Sequence, residues 1–154
     1  MNLFEPTVTF DAEQTERLGA ALARRMCEDL SLPPFVALYG DLGVGKTAFV
    51  RGFTSVISPT SAVRSPTFAL VNEYRAKPRS VFHFDMYRID SEDDLISIGF
   101  YDYLDRSGIC LVEWSEKIPY ALPERYLSVT IEKNDASLPN SRKITVQLSQ
   151  GESQ

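Results

Sequence analysis

Between Phe35 and Thr47 an unbroken apolar run meets a run of glycines: Phe-Val-Ala-Leu-Tyr, then Gly-Asp-Leu-Gly-Val-Gly-Lys-Thr. Five apolar residues bounded by turn residues form a strand covered on both faces, the pattern of a parallel sheet sandwiched by helices. A helix is expected to follow at once, from Lys46 to about Ile57. A strand that passes through a tight turn directly into a helix commits this part of the chain to an α/β architecture.

The glycines explain what the turn is for. Gly40, Gly45, Lys46 and Thr47 fit G-x-x-x-x-G-K-[ST], the phosphate-binding loop. Glycines adopt backbone angles that other residues resist, and they let the main chain approach a ligand closely. The loop amides then surround an anion, and the next helix adds its unpaired N–H groups and positive dipole end. Lys46 is expected to neutralise the β and γ phosphates, and the Thr47 hydroxyl to ligate Mg²⁺. Such a site also needs a carboxylate near the metal at the end of a neighbouring strand. Asp85 ends Ser-Val-Phe-His-Phe-Asp, and Glu113 ends Ile-Cys-Leu-Val-Glu. One is expected to hold the metal with Thr47 and the other to orient or deprotonate a water. The spacing leaves open which does which. His83, the only histidine, reads as a structural strand residue.

The remaining pattern is that of a mixed sheet. Thr7 to Phe10 reads as a short strand, and Asp11 with Gln14 as the capping box of a helix. Leu18, Leu22, Met26 and Leu30 give that helix an apolar face. Phe68 to Tyr74 and Ser80 to Ile89 read as strands, and Ser91 with Asp94 as a second helix start. That helix is expected to carry Leu95, Ile98, Tyr101, Tyr103 and Leu104. Tyr-Leu-Ser-Val-Thr-Ile-Glu-Lys and Lys-Ile-Thr-Val-Gln-Leu alternate in the manner of an antiparallel hairpin. The expectation is therefore a P-loop NTPase-like three-layer sandwich with a mixed, mostly parallel sheet and a C-terminal antiparallel hairpin. Residues 1–150 are read as one domain and 151–154 as a polar tail.

Composition narrows the function. The 154 residues hold 21 Asp and Glu against 16 Lys and Arg. A net charge of −5 argues against a broad surface for nucleic-acid backbone. The cations around Arg125 to Lys143 read as a solvated hairpin. No apolar run is long enough for a membrane span, and a cytoplasmic location is expected. Cys27 and Cys110 read as reduced, apolar residues, although their spacing does not forbid a disulfide. The guanine-specifying patterns are missing: Asp105-Arg-Ser-Gly follows an expected helix, and Glu132-Lys-Asn-Asp has the wrong order.

The blocks Glu13 to Ala23, Tyr39 to Phe53, Ser65 to Tyr74, Phe82 to Arg88, Ile98 to Leu104 and Ile109 to Lys117, in this order, resemble the TsaE (YjeE) family. That family comprises the small ATPases of bacterial tRNA threonylcarbamoyladenosine synthesis. Val44 and Ala48 depart from the family's usual Ala and Thr without removing a needed chemical group. The resemblance implies ATP and Mg²⁺ as cofactors, TsaB and TsaD as protein partners, and tRNA contact only through that complex. It implies phosphate binding by Leu42, Gly43, Val44, Gly45, Lys46 and Thr47, with Mg²⁺ on Thr47 and Glu113. Asp85 becomes a catalytic carboxylate beside Lys46 and Glu113, and Trp114 lies next to the site. Ala12 and Thr15 approach the adenine. Independently of the resemblance, Thr67 in Ser-Pro-Thr-Phe is expected to sit where a loop could sense the γ phosphate. Two other readings compete: a P-loop small-molecule kinase, and a nucleotide-gated binding module with little hydrolysis.

Overall fold

The computed structural model describes residues 2–41, 43–66 and 70–150. Its strands are β1 (Thr7–Thr9), β2 (Phe35–Tyr39), β3 (Val71–Tyr74), β4 (Ser80–Asp85), β5 (Gly108–Glu113), β6 (Arg125–Asp135) and β7 (Leu138–Gln150). They form one sheet in the order β1-β7-β6-β2-β5-β4-β3. The centre is parallel: β2 lies between β5 and β6, and β4 runs parallel to β5. The margins are antiparallel, with β3 on β4 at one side and the β6–β7 hairpin and β1 at the other. Five of the seven strands thus run one way, and the C-terminal hairpin forms as its alternation predicts.

Helices α1 (Ala12–Glu28) and α2 (Lys46–Ile57) cover one face, and α3 (Glu92–Ser97) and α4 (Phe100–Leu104) the other. Alternate residues of the central strands feed the two layers. Val36, Leu38, Ile109 and Leu111 join the core under α1 and α2, while Phe35, Ala37, Cys110 and Val112 join the other. Cys110 is buried, Cys27 is exposed, and both thiols are free. Among the described residues no helix is long and apolar enough to cross a membrane.

Helix α1 starts where its cap predicts. The Gln14 N–H donates to Asp11 Oδ1 at 2.8 Å, and the Phe10 N–H donates to Gln14 Oε1 at 2.9 Å. The reciprocal bond reaches one residue further back than in the standard capping box. The expected apolar face is only partly right. Leu22 and Met26 are buried, but Leu30 lies beyond the helix end and is 76% exposed. The row stays against the core through Met26 and fails at Leu30 because α1 ends at Glu28. Thr15 and Gly19 complete the buried stripe instead. Gly19 faces the Phe49 carbonyl of α2, and Gly52 of α2 faces the Glu16 carbonyl of α1, with no room for a Cβ at either crossing point. This backbone-to-backbone contact fixes the α1 N-terminus beside the start of α2.

Two further expectations are corrected. The single helix after Ser91 is two short ones, because Gly99 at φ 75° breaks the ladder between α3 and α4. The strand expected from Phe68 starts at Val71. Leu70, at φ 62°, is not extended, and Phe68 lies outside the described residues.

Candidate phosphate-binding site

The turn after β2 has the backbone its sequence demands. Gly43 and Gly45 sit at φ 78° and 109°, and Gly45 is the left-handed residue from which α2 starts. At Gly40 a side chain would meet the Ile131 carbonyl oxygen at 2.6 Å. The Val44 side chain turns into the core, 2% exposed, so it packs beneath the loop rather than above it. The first turn of α2 brings Lys46 and Thr47 to the same end of the sheet, with Lys46 buried and Thr47 half-buried.

Lys46 is the electrostatic centre. Its Nζ donates to the Gly40 carbonyl at 2.7 Å and stands 3.6 Å from the centre of the Trp114 ring. Burial pulls its pKa down, while the carboxylates of Glu113, Glu116, Asp85 and Asp41 pull it back up. Trp114 reaches this position because its own backbone is left-handed, at φ 59°, immediately after β5. A bulky residue in that region is strained, and such strain gathers at functional sites. Tyr87 packs on its other neighbourhood, 5.0 Å between ring centres.

Asp85 and Glu113 face one another across the β4–β5 register at the C-terminal strand ends. Open α/β sheets bind ligands at this edge. Burial raises the Asp85 carboxyl above the ordinary range; the Tyr87 N–H, donating at 3.0 Å, works against that, and the Glu113 charge adds to it. Glu113 is 4% exposed and pairs with His83, whose Nε2 lies 2.5 Å from Glu113 Oε2. The histidine that reads as structural is therefore in contact with one of the two carboxylates. A lone histidine in an apolar strand gives no sign of such a partner, because the partner lies on another strand.

On the other side of the loop, Asp11, Ala12, Thr15, Gly43 to Gly45, Ala48, Asn140 and Arg142 line a cavity of about 270 Å³. Neither Lys46 nor the two carboxylates reaches it, so the loop separates a cavity from a charged centre. Ala12 and Thr15, expected near the adenine, line this cavity together with the loop. Thr15 is held by a 2.9 Å hydrogen bond to Thr9. Asn140 and Arg142 were not anticipated. The hairpin cations read as solvated, yet Arg142 Nε donates to the Val44 carbonyl at 2.8 Å and braces the loop from β7. Of the other arginines, Arg106 is paired with Glu73 and Arg51 with Glu16. Arg88 stays exposed beside a small cavity that Asp85 also lines. Leu42 and Thr67 lie outside the described residues.

The sequence pattern described as "Threonylcarbamoyl adenosine biosynthesis protein TsaE" matches residues 9–144. The chain belongs to the TsaE family. Relatives called tRNA threonylcarbamoyladenosine biosynthesis protein TsaE include one from Haemophilus influenzae, 43% identical over 65% of this chain. Another, from Treponema pallidum, is 32% identical over 90% of this chain and 97% of its own length. The chain spans 63% of the H. influenzae protein and 61% of a Bacillus subtilis relative that is 38% identical. The crystal structure of B. subtilis YdiB superimposes with a TM-score of 0.75 at 28% identity, covering 98% of this chain and 88% of that one. The three-layer sandwich expected for a TsaE chain is the fold observed.

Proposed function

We propose that the protein is a magnesium-dependent ATPase that acts in the cytoplasm. In this reading it supports threonylcarbamoyl modification of an adenosine in the tRNA anticodon loop, together with TsaB and TsaD. The observation that carries it is the buried Lys46 ammonium, placed between a glycine turn at a helix N-terminus and two strand-end carboxylates. A cation, inward amides and a helix dipole bind a polyphosphate; they offer nothing to an apolar ligand.

Each residue then has a task. The Gly43 to Thr47 backbone and Lys46 hold the phosphates, with Leu42 completing the turn. The cavity beside Ala12, Thr15 and Arg142 takes the adenosine. The site residues fit Mg²⁺. Among the described residues no three His, Cys, Asp or Glu side chains converge on one point. What is present is the hard oxygen of Thr47 and Glu113, which suits an ion that keeps most of its waters and phosphate ligands. When bound, the ion neutralises charge on the β and γ phosphates. Asp85 orients the attacking water and takes its proton, a task favoured by the burial that makes it a stronger proton acceptor. Trp114 shields the Lys46 side of the site from bulk water.

The test is steady-state phosphate release at saturating Mg-ATP. The expected rate alone is well below about 1 s⁻¹, the low end for ordinary enzymes, rising at least tenfold when TsaB and TsaD are added. Phosphate found on a small-molecule acceptor instead of in solution would establish the kinase reading. Unchanged tRNA modification with a non-hydrolysable ATP analogue, over many turnovers, would establish the binding-module reading.

A further inference from the structure

Tyr74, His83 and Glu113 stand on the adjacent strands β3, β4 and β5, and all three side chains are buried on the α1/α2 side of the sheet. They form a chain of hydrogen bonds. His83 Nε2 donates to Glu113 Oε2, and His83 Nδ1 lies 3.4 Å from the Tyr74 hydroxyl. With Nε2 as donor, Nδ1 is an acceptor, and the single Tyr74 hydroxyl proton lies between it and the Arg64 carbonyl, 3.1 Å away. The Tyr74 oxygen in turn accepts the Arg64 N–H at 3.1 Å, and the Arg64 carbonyl accepts from Asn72 Nδ2 at 2.9 Å. The chain therefore starts in the loop after α2 and ends on a carboxylate of the candidate metal site.

Within the reading given under Proposed function, on which this step rests, we propose that His83 is a positioning residue for Glu113. It holds the carboxylate through Oε2 and leaves Oε1 to face the cation. We propose further that Tyr74 ties this orientation to the main chain at Arg64. The physical grounds are burial and geometry. His83 is 0% exposed, so its imidazole has no water to bond and each ring nitrogen must find a protein partner. An imidazole between two fixed partners has one orientation, and so does the carboxylate it donates to. A metal site whose outer partners are removed keeps its ligands but loses their aim, which typically costs 10–100-fold in affinity. The Arg64 connection gives the loop after α2 a mechanical route to the metal ligand: a shift of that main chain moves Tyr74, and the tilt of His83 follows.

The measurement is calorimetric titration with ADP over a series of Mg²⁺ concentrations, which needs no turnover. His83→Leu is expected to raise the Mg²⁺ needed for half-maximal enhancement of ADP binding by about tenfold, with metal-free ADP affinity unchanged. His83→Gln, whose amide can donate near the Nε2 position, is expected to recover most of that loss. Tyr74→Phe keeps the His83–Glu113 bond and is expected to show about a threefold rise, with faster hydrogen exchange at the Arg64 N–H. A folded His83→Leu protein with an unaltered Mg²⁺ requirement overturns the positioning role. If His83→Leu fails to fold, His83→Gln and Tyr74→Phe decide it: wild-type Mg²⁺ behaviour in Tyr74→Phe removes the loop connection, and a His83→Gln protein as impaired as Glu113→Gln removes the donor role. Glu113→Gln is the control. If it too leaves the Mg²⁺ requirement unchanged, the assignment of Glu113 to the metal fails, a different result from failure of His83 alone.

Discussion

The two faces of the sheet are made from alternate residues of the same strands, yet they have different chemistry. On the α1/α2 face, the strand-end positions are His83, Asp85 and Glu113, with Lys46 facing them from α2. On the α3/α4 face the equivalent positions are Phe82, Phe84, Cys110 and Val112, and Phe84 meets Phe100 and Tyr103 edge-on at 5.3 and 5.2 Å. The outer surfaces differ as well. Residues 89–105 hold six carboxylates and no Lys or Arg, leaving 15 acids against 16 cations elsewhere. The lesson is that a parallel sheet has two layers to bury but needs only one edge of one layer for ligand chemistry. The aromatic layer supplies stability, and the other spends part of its packing on buried charge that must be satisfied locally.

Substitutions that separate the two layers test this division. The largest effect is expected from Phe100→Ala in the aromatic layer. It removes a fully buried ring and should cost about 3–5 kcal/mol of unfolding free energy in a denaturant titration. ADP affinity measured below the transition should stay within about twofold of wild type, by the independence of distant sites. A large loss of affinity would show that the layers are coupled.

Gly52→Ala should break the division from the other side. The added methyl has no room against the Glu16 carbonyl, so α1 must move away from α2. Such overpacking should cost about 3 kcal/mol. Because α1 carries Ala12 and Thr15 to the loop, nucleotide affinity should fall as well, and circular dichroism beside ADP titration would reveal both.

Lys46→Ala is the opposite case. It should weaken nucleotide binding by about 100-fold, the size of one strong charge-assisted contact. Thermal stability should hold or rise, since a buried ammonium is removed. A parallel loss of melting temperature would mean that Lys46 serves the core more than the ligand.

Asp11→Ala should have the smallest effect. It removes the α1 cap bond to the Gln14 N–H at a cost of about 1 kcal/mol. Since the cap lies at the cavity rim, a slight weakening of ADP binding, with no change in Mg²⁺ dependence, is the sharper expectation.

Much of this site was legible because its parts are close in sequence. Gly40 to Thr47 name their own backbone geometry, and an apolar run ending in a carboxylate locates Asp85 and Glu113 at strand ends. What escaped is held together across the chain. His83 meets Glu113 through neighbouring strands, and Arg142 reaches the Val44 carbonyl from the opposite end of the protein. Neither contact has a local pattern, because a β residue's partner depends on strand order, and strand order is not written in any window of residues. Leu30 failed because α1 stops at Glu28, and a four-residue spacing does not itself say where a helix ends.

The sequence by itself determined the α/β class, the glycine-rich turn between β2 and α2, the helix start at Asp11, the hairpin at the C-terminus and the family. All of these follow from local backbone chemistry and periodicity, which act over a few residues. The tertiary structure alone decided the rest. It put β6 and β7 beside β2 so that Arg142 braces the loop, and it set α1 against α2 through two glycines. It bent Trp114 over Lys46, and it placed a histidine between a tyrosine and a glutamate that are far apart in the chain. Those arrangements depend on how the faces of the sheet are covered, and burial is a property of the whole fold that no single segment specifies.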